Sequence, residues 1–351
     1  MKKLKVGYWP LSQNLQSAGD RRRIVFWAQA RGHEIVTDLS QSVDVIIASE
    51  NTNFHSENIS KRKSPVIFDL VDAYLSPLNA CEDLARGVAK KFSGQISGEV
   101  KPFSKHVKDF CLEADAVICS STEQKKIISP YNSNTHVILD SHDEIPFIKP
   151  LLPSRKKSNE FGIFWEGQPA TIRGVRQVSS TLAQLAVTNP LQLNFVTDEK
   201  YFQFLGKYFQ RDTLSLLKKD IQAVRDKINI IPWSPNNLVE TAKNCSVAMI
   251  PIDLSVPMQR LKPENRLLIM WRLGLPCLSS ASPAYIRVSE AAGVSSTCEN
   301  ESDWHSKFTT LLNDPSFAYE EIVRGQDYLQ LYHNRITLLS KWDRAVESVM
   351  G

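Results

Sequence analysis

The sequence predicts an α/β protein made of two doubly wound parallel sheets that face each other across a central cleft. Three observations predict this. At 351 residues the chain is too long for one ordinary core, and roughly 150 residues per domain gives two. Short apolar runs alternate with amphipathic stretches over most of the length, as strand-helix-strand units require. Each apolar run is followed by polar residues, where a parallel sheet presents its carboxyl ends and where open α/β sheets bind ligands.

The elements follow in order. "KLKVGYW" is the first strand. Ser17 to Asp20 supply turn and capping chemistry, and Ile24, Val25, Trp27, Ala28 and Ala30 form a helical stripe that stops at Gly32. "HEIV", "VDVIIAS", "SPVIFDLVD", "ADAVICSS" and "THVILDSHDE" are the further strands of an N-terminal domain, residues 1–150. "PFIKPLLPSRKKSN" (146–159) has three prolines, a basic run and no periodicity, so it reads as the interdomain linker. "FGIFWEG", "LQLNFVTD", "INIIPWS", "CSVAMIPID" and "PCLSS" are strands of a second domain, residues 151–325, with "RLLIMWRLG" as one of its helices. The remaining stretch, 326–351, belongs to a helical region with Leu329, Ile336, Leu338, Leu339 and Trp342 among its apolar positions. It reads as a C-terminal helix that packs across both domains and returns toward the first.

Composition narrows the function. With 42% hydrophobic and 23% charged residues the chain is an ordinary globular one, and a net charge of +4 is too weak to argue for nucleic acid. The six cysteines lack metal-ligand spacing and read as reduced thiols, which with the absence of a signal-peptide run suggests the cytoplasm. No stretch of about 18 apolar residues exists to span a bilayer, so membrane contact is expected only at the periphery. Arg21-Arg22-Arg23, Lys61-Arg62-Lys63 and Arg155-Lys156-Lys157 are the basic clusters. They read as solvated surface or as contacts to phosphates or an anionic membrane face.

Candidate site residues lie at strand ends. "LSQNLQSAGDRRR" joins the first strand to the first helix, where backbone N–H groups and the helix dipole favour an anion; Gly19, Arg21 and Arg22 are its candidate phosphate residues. In "DLVD", Asp69 reads as a helix cap and Asp72 as the catalytic candidate, able to orient a hydroxyl or take its proton. "WEGQPATIRGVRQV" carries Arg173 and Arg176 from a strand end into a helix, a placement suited to gripping a diphosphate. "KPENRLLIMWRLGLP" places Lys262, Glu264, Asn265 and Arg266 in a turn and first helical turn. GxGxxG, Walker, GxSxG and HExxH motifs are all missing, which removes dinucleotide and common hydrolase readings.

With those segments identified, the chain resembles the GT-B glycosyltransferases, whose two domains are Rossmann-like, and among them the retaining sugar-nucleotide enzymes of glycosyltransferase family 4. "ARGHEI" is similar to the family's "L-x-x-x-GHEV", and "ADAVICSSTEQKK" to its "AD-x-VI-x-x-S" strand and helix. "G-R-L-x-x-x-KG" is matched by Gly167-Gln168-Pro169 followed by Arg173-Gly174, so Arg173 takes the place of the diphosphate-binding lysine. Pro263, Arg266, Gly274 and Pro276 fall in register with "P-x-K-x-x-E-x-x-A-x-G-x-P", while Leu261 and Ile269 stand where the family has glutamates. The resemblance implies sugar transfer from a nucleotide-sugar donor, held by the C-terminal domain, to a glycan or lipid-linked acceptor held by the N-terminal domain. It implies no cofactor, no metal and no nucleic-acid partner, and a role in surface polysaccharide synthesis at the inner membrane face. A sugar-nucleotide epimerase of the same fold and a non-catalytic relative are the alternatives.

Overall fold

The structure is a computed structural model that describes residues 2–52, 63–76, 79–92, 94, 96, 99–150, 161–203 and 209–351. Two compact units share the chain. The first runs to Asp143 and adds Leu261–Pro263 and Asn334–Gly351; the second comprises Glu144–Arg260 and Glu264–His333. The expected linker falls largely on residues 151–160, and the basic run Arg155-Lys156-Lys157 falls there entirely, outside the described residues. The same holds for Lys61 and Arg62 of the second basic run.

In the first unit six parallel strands are ordered β2-β1-β3-β4-β5-β6: β1 Lys5–Trp9, β2 Glu34–Val36, β3 Val45–Ser49, β4 Val66–Leu70, β5 Ala116–Cys119 and β6 Thr135–Val137. A π-helical turn, Asp20–Val25, leads into α1 (Phe26–Arg31), which ends as read from sequence on a left-handed Gly32. Helices α2 (Ala80–Phe92), α3 (Phe103–Glu113) and α4 (Thr122–Ile128) follow. Successive strand residues point to opposite faces, and the burial obeys this. Val45 and Ile47 join one core with Trp27, whereas Ile46 and Ala48 join another with Phe103 and Val107.

The second unit has the strand order β11-β8-β7-β12-β13-β14. Its strands are β7 Phe161–Glu166, β8 Leu191–Val196, β11 Ile228–Ile231, β12 Val247–Ile250, β13 Cys277–Ser280 and β14 Thr297–Cys298. An antiparallel pair, β9 (Lys200–Gln203) and β10 (Phe209–Asp212), stands apart, and the sequence reading passed over it. The helices are α5 (Ser179–Thr188), α6 (Thr213–Asp220), α7 (Pro235–Asn244), α8 (Pro257–Arg260), α9 (Asn265–Arg272), α10 (Pro283–Ala292), α11 (Glu301–Asn313) and α12 (Pro315–Tyr332). In both sheets the strand order reverses beside the first strand: between β1 and β3, and between β7 and β12. Those switch points are where such sheets accept ligands.

The C-terminal region is two helices, not one. Asn334 accepts a hydrogen bond from the Thr337 N–H and so starts α13 (Arg335–Met350), which lays Leu338, Leu339, Trp342, Ala345 and Val346 into the first unit's core. Helix α12 stays in the second unit, where Gly325 lies against the Trp271 indole; a Cβ there would stand 2.5 Å from the ring. Gln326 Nε2 donates to the Trp271 carbonyl at 2.8 Å and fixes the same contact.

Arg23 organises the first unit. Its side chain is fully buried and donates to both Asp69 oxygens (Nε at 2.8 Å, Nη2 at 2.5 Å), to the Ile138 carbonyl at 2.8 Å and to Asp140 at 3.1 Å. Burial alone would push the guanidinium down, but Asp69 and Asp140 outweigh it and the net shift is upward. Asp69 is therefore an ion-pair partner and not the helix cap expected from sequence. Arg22 is buried as well, so the first basic run does not form a solvated or membrane-facing patch.

Replacing Asp69 by Asn leaves Arg23 short of a buried countercharge and lowers stability by about 3–5 kcal/mol, read from urea unfolding. Gly325→Ala forces Trp271 out of place and costs about 1–3 kcal/mol, with a change in tryptophan emission as its signature.

Candidate functional site

The loop after β1 satisfies an anion from within the chain. Asp20 accepts from Tyr8 Oη (2.7 Å), Leu11 N (2.9 Å), Ser12 N (3.0 Å), Ser12 Oγ (2.5 Å) and Ser17 Oγ (2.6 Å). Burial opposes the charged form, but the Ser12, Ser17 and Tyr8 hydroxyls and the Leu11 N–H overcome it and hold this carboxyl below its ordinary value. Gly19 permits the tight path, since a Cβ would meet Leu11 Cδ1 at 2.3 Å. The Arg21 guanidinium donates to the Gln16 carbonyl. The donors that an external phosphate would use at this loop thus serve Asp20, and Arg21 closes the turn.

Further along the same sheet edge, β3 and β4 end in a pair of carboxylates. Glu50 follows Ser49 directly, and its Oε2 accepts the Asp72 backbone N–H at 3.1 Å. Asp72 is set by its neighbours: Gln124 Nε2 donates to the Leu70 and Asp72 carbonyls at 2.9 and 3.1 Å, and Ser120 Oγ to the Val71 carbonyl at 3.0 Å. Gln124 is itself anchored where Ser121 caps α4. Lys262 sits in this cluster, its Nζ 3.4 Å from Asp72 Oδ1 with both side chains about a third exposed. The structure brings Lys262 to Asp72, and the two belong to the first unit.

Glu50 is the residue that sequence reasoning missed. The rule that selected Asp72, a carboxylate just beyond a buried strand, applies equally to Glu50 after "VIIAS". Burial first, and then the Asp72 charge, raise its carboxyl to about 7. The same pair raises the Tyr74 hydroxyl, again mainly through burial. Burial lowers the Lys90 ammonium, which Glu50 partly offsets. His106 and His142 are buried, at 2% and 1% exposed.

In the second unit the switch point is built from β7, β12 and the segments that follow. Gly167 is fixed by Thr197 Oγ1, which donates to its carbonyl at 2.8 Å. Pro169–Val178 is a ten-residue 3₁₀ segment, and Gly174 brings it onto the end of β12, where a Cβ would come within 2.2 Å of the Pro251 carbonyl. Arg173, next to that contact, is exposed and makes no hydrogen bond or ion pair with any described residue. Arg176 is likewise exposed.

Arg266 reaches the same place from α9. Its guanidinium lies 3.5 Å from the Glu166 carbonyl and 6.0 Å from the Trp165 ring centre, and its charge bears on the Tyr285 hydroxyl. Burial pushes that hydroxyl up to about 12. The Glu166 carboxylate accepts Trp233 Nε1 at 3.1 Å. Glu264, 3% exposed, is forked by Arg287 at 3.3 Å through both oxygens, so its carboxylate already has a partner. Asn265 Oδ1 is buried with no hydrogen bond. Ile269, where the resembled family has its glutamate, is 2% exposed in the middle of the buried run Leu267–Trp271.

Protonation of Glu50 links the first unit's stability to pH. A carboxyl raised in the folded state stabilises it fully below the unfolded value near 4.5, and this contribution is lost as pH rises through about 7. Urea unfolding of the chain should show stability falling across that interval, and Glu50→Gln should flatten the slope.

No protein-family model matches the chain, and no curated protein matches it by sequence. Solved structures do match in fold. Anabaena HepE in complex with UDP-glucose aligns with a TM-score of 0.67 at 12% identity, over 98% of this chain and 100% of that one. WaaG, described as a glycosyltransferase involved in lipopolysaccharide biosynthesis, aligns with a TM-score of 0.59 at 12% identity, over 99% of each chain. S. aureus TarM aligns with a TM-score of 0.56 at 10% identity, over 86% of this chain, which spans 55% of TarM's own length. At these identities the likeness is one of fold: two six-stranded parallel α/β sheets, the GT-B architecture of glycosyltransferases.

Proposed function

We propose that the chain is a glycosyltransferase that moves a sugar with retention from a nucleoside-diphosphate donor to a glycan or lipid-linked acceptor of the cell surface. One observation carries the reading. Two guanidinium groups from separate segments, Arg173 and Arg266, stand at the switch point of the second sheet, where an α/β fold binds its ligand. Arg173 is exposed and makes no hydrogen bond or ion pair with any described residue, and Arg266 lies by the Trp165 face and the Glu166 carbonyl. The HepE structure with UDP-glucose supports the choice of donor class, and WaaG the choice of a surface glycan. No described helix is long and apolar enough to cross a membrane; on this reading the lipid-linked acceptor is met at the surface of the bilayer, from the cytoplasmic side.

The chemistry follows from where charge develops. As the glycosidic bond breaks, negative charge grows on the leaving diphosphate, and preorganised guanidinium groups lower the barrier more than they stabilise the bound donor. Asn265 supplies the polar contact to the donor sugar that Ile269 cannot, because its amide oxygen is buried and unpaired while Glu264 is held by Arg287. Asp72, with Lys262 beside it, orients the acceptor hydroxyl. With retention the acceptor attacks on the leaving-group face, where the departing diphosphate can take the proton.

Titration with UDP and a panel of UDP- and other nucleotide-sugars tests the reading, and absence of binding to all of them overturns it. With the productive donor, Arg173→Ala and Arg266→Ala should each lower kcat by roughly 10²–10³-fold. Asn265→Ala should raise the donor KM while the Kd for the bare nucleoside diphosphate stays unchanged.

A further inference from the structure

A cavity of about 200 Å³ lies in the second unit at the amino-terminal end of β13, the end of the sheet opposite Arg173 and Arg266. Leu278 forms part of its floor, and Leu311 of α11 and Phe317 of α12 form apolar walls. Its polar side is Glu321, Lys307 and Ser295. Both charges are anchored to the chain leading into β14: Lys307 Nζ donates to the Thr297 carbonyl at 2.5 Å, and Glu321 Oε2 accepts the Ser295 N–H at 2.6 Å. Glu321 is 6% exposed, and its second oxygen, Oε1, is buried without a hydrogen bond, with the nearest guanidinium, Arg324, at 3.9 Å.

We propose that this cavity binds a small neutral molecule with an apolar ring and one hydroxyl group, the hydroxyl donating to Glu321 Oε1. Size sets the first limit, because an apolar cavity of roughly 150 Å³ accommodates benzene. Charge sets the second: Lys307 and Arg324 already face Glu321, and Glu320 pairs with Arg324, so cations and anions balance around the wall and a neutral ligand is favoured. A neutral donor satisfies the lone oxygen at least cost. Burial raises the thiol of Cys277 in the wall and disfavours its thiolate, in keeping with a non-covalent site. The location also has a consequence for the donor site. Glu321 lies one helical turn before Gly325 and Gln326, the residues that grip Trp271 in α9, the helix that carries Arg266. An occupant of the cavity therefore bears on the helix that presents a guanidinium to the donor.

Calorimetric titration of the full chain with phenol and with toluene tests the proposal, which does not depend on the transferase reading. Saturable binding of phenol is expected, with toluene about tenfold weaker for lack of one hydrogen bond to a charged acceptor. Glu321→Gln keeps a carbonyl oxygen for Ser295 but replaces the anionic acceptor Oε1 with an amide NH₂, which can only donate to the phenol oxygen, and should weaken phenol severalfold while leaving toluene unchanged. Thr310→Trp, at an exposed helix position on the cavity wall, should block both ligands without disturbing the fold. The proposal is overturned by failure of phenol to bind saturably, by equal binding of phenol and toluene, or by phenol binding that either variant leaves unchanged.

Discussion

Arg23 has no exposed surface, so its guanidinium must find every hydrogen bond it needs inside the protein. It finds them on Asp69 at the end of β4 and on Ile138 and Asp140 just beyond β6. One side chain thereby joins the turn after β1 to strand ends on the far side of the sheet, and the Trp342 ring closes over it at 5.9 Å. The carboxyl edge that carries Glu50 and Asp72 is rigid because this cation sits behind it. Such a pair adds little net stability over a well-packed apolar one, but breaking it is costly, so it restricts which arrangements of that edge are accessible.

The two strand-end sites differ in how far their polar groups are already committed. In the first unit the loop after β1 is filled by Asp20, and Asp72 is braced by Gln124 and Lys262. In the second, Glu264 is taken by Arg287, whereas Asn265 Oδ1 is buried without a hydrogen bond and Arg173 is exposed, with no partner among the described residues. Groups left unsatisfied in a folded protein are expensive unless a ligand completes them. On the proposed reading, Asn265 Oδ1 is the buried polar atom of that segment left for a donor to complete.

Much of the fold was legible because strand periodicity and strand-end polarity are local properties. "VDVIIAS" and "CSVAMIPID" announce buried strands, and Gly32 ends its helix through its own left-handed backbone. The β9–β10 pair was not legible, because Lys200–Gln203 and Phe209–Asp212 are only four residues each and their apolar residues do not alternate with polar ones. The candidate site was half legible. Arg173, Arg266 and Asp72 could be selected by their place after strands, but pairing cannot be read from a string: Asp69 finds Arg23 from 46 residues away, and Lys262 finds Asp72 across 190. Arg22 and Arg23 read as surface because burying a cation requires a partner that only the tertiary fold supplies.

The placement of α13 has a consequence for how the protein comes off the ribosome. Leu338, Trp342 and Val346 complete a core that also holds Val45, Ile47 and Ile118, so nearly two hundred residues between Asp143 and Asn334 are synthesised before α13 can cover that face of the first sheet. The second unit, apart from the short excursion at Leu261–Pro263, is continuous in the chain and can close on itself in the meantime. Vectorial synthesis usually lets the N-terminal domain settle first; here the first unit's core is complete only once α13 has been made.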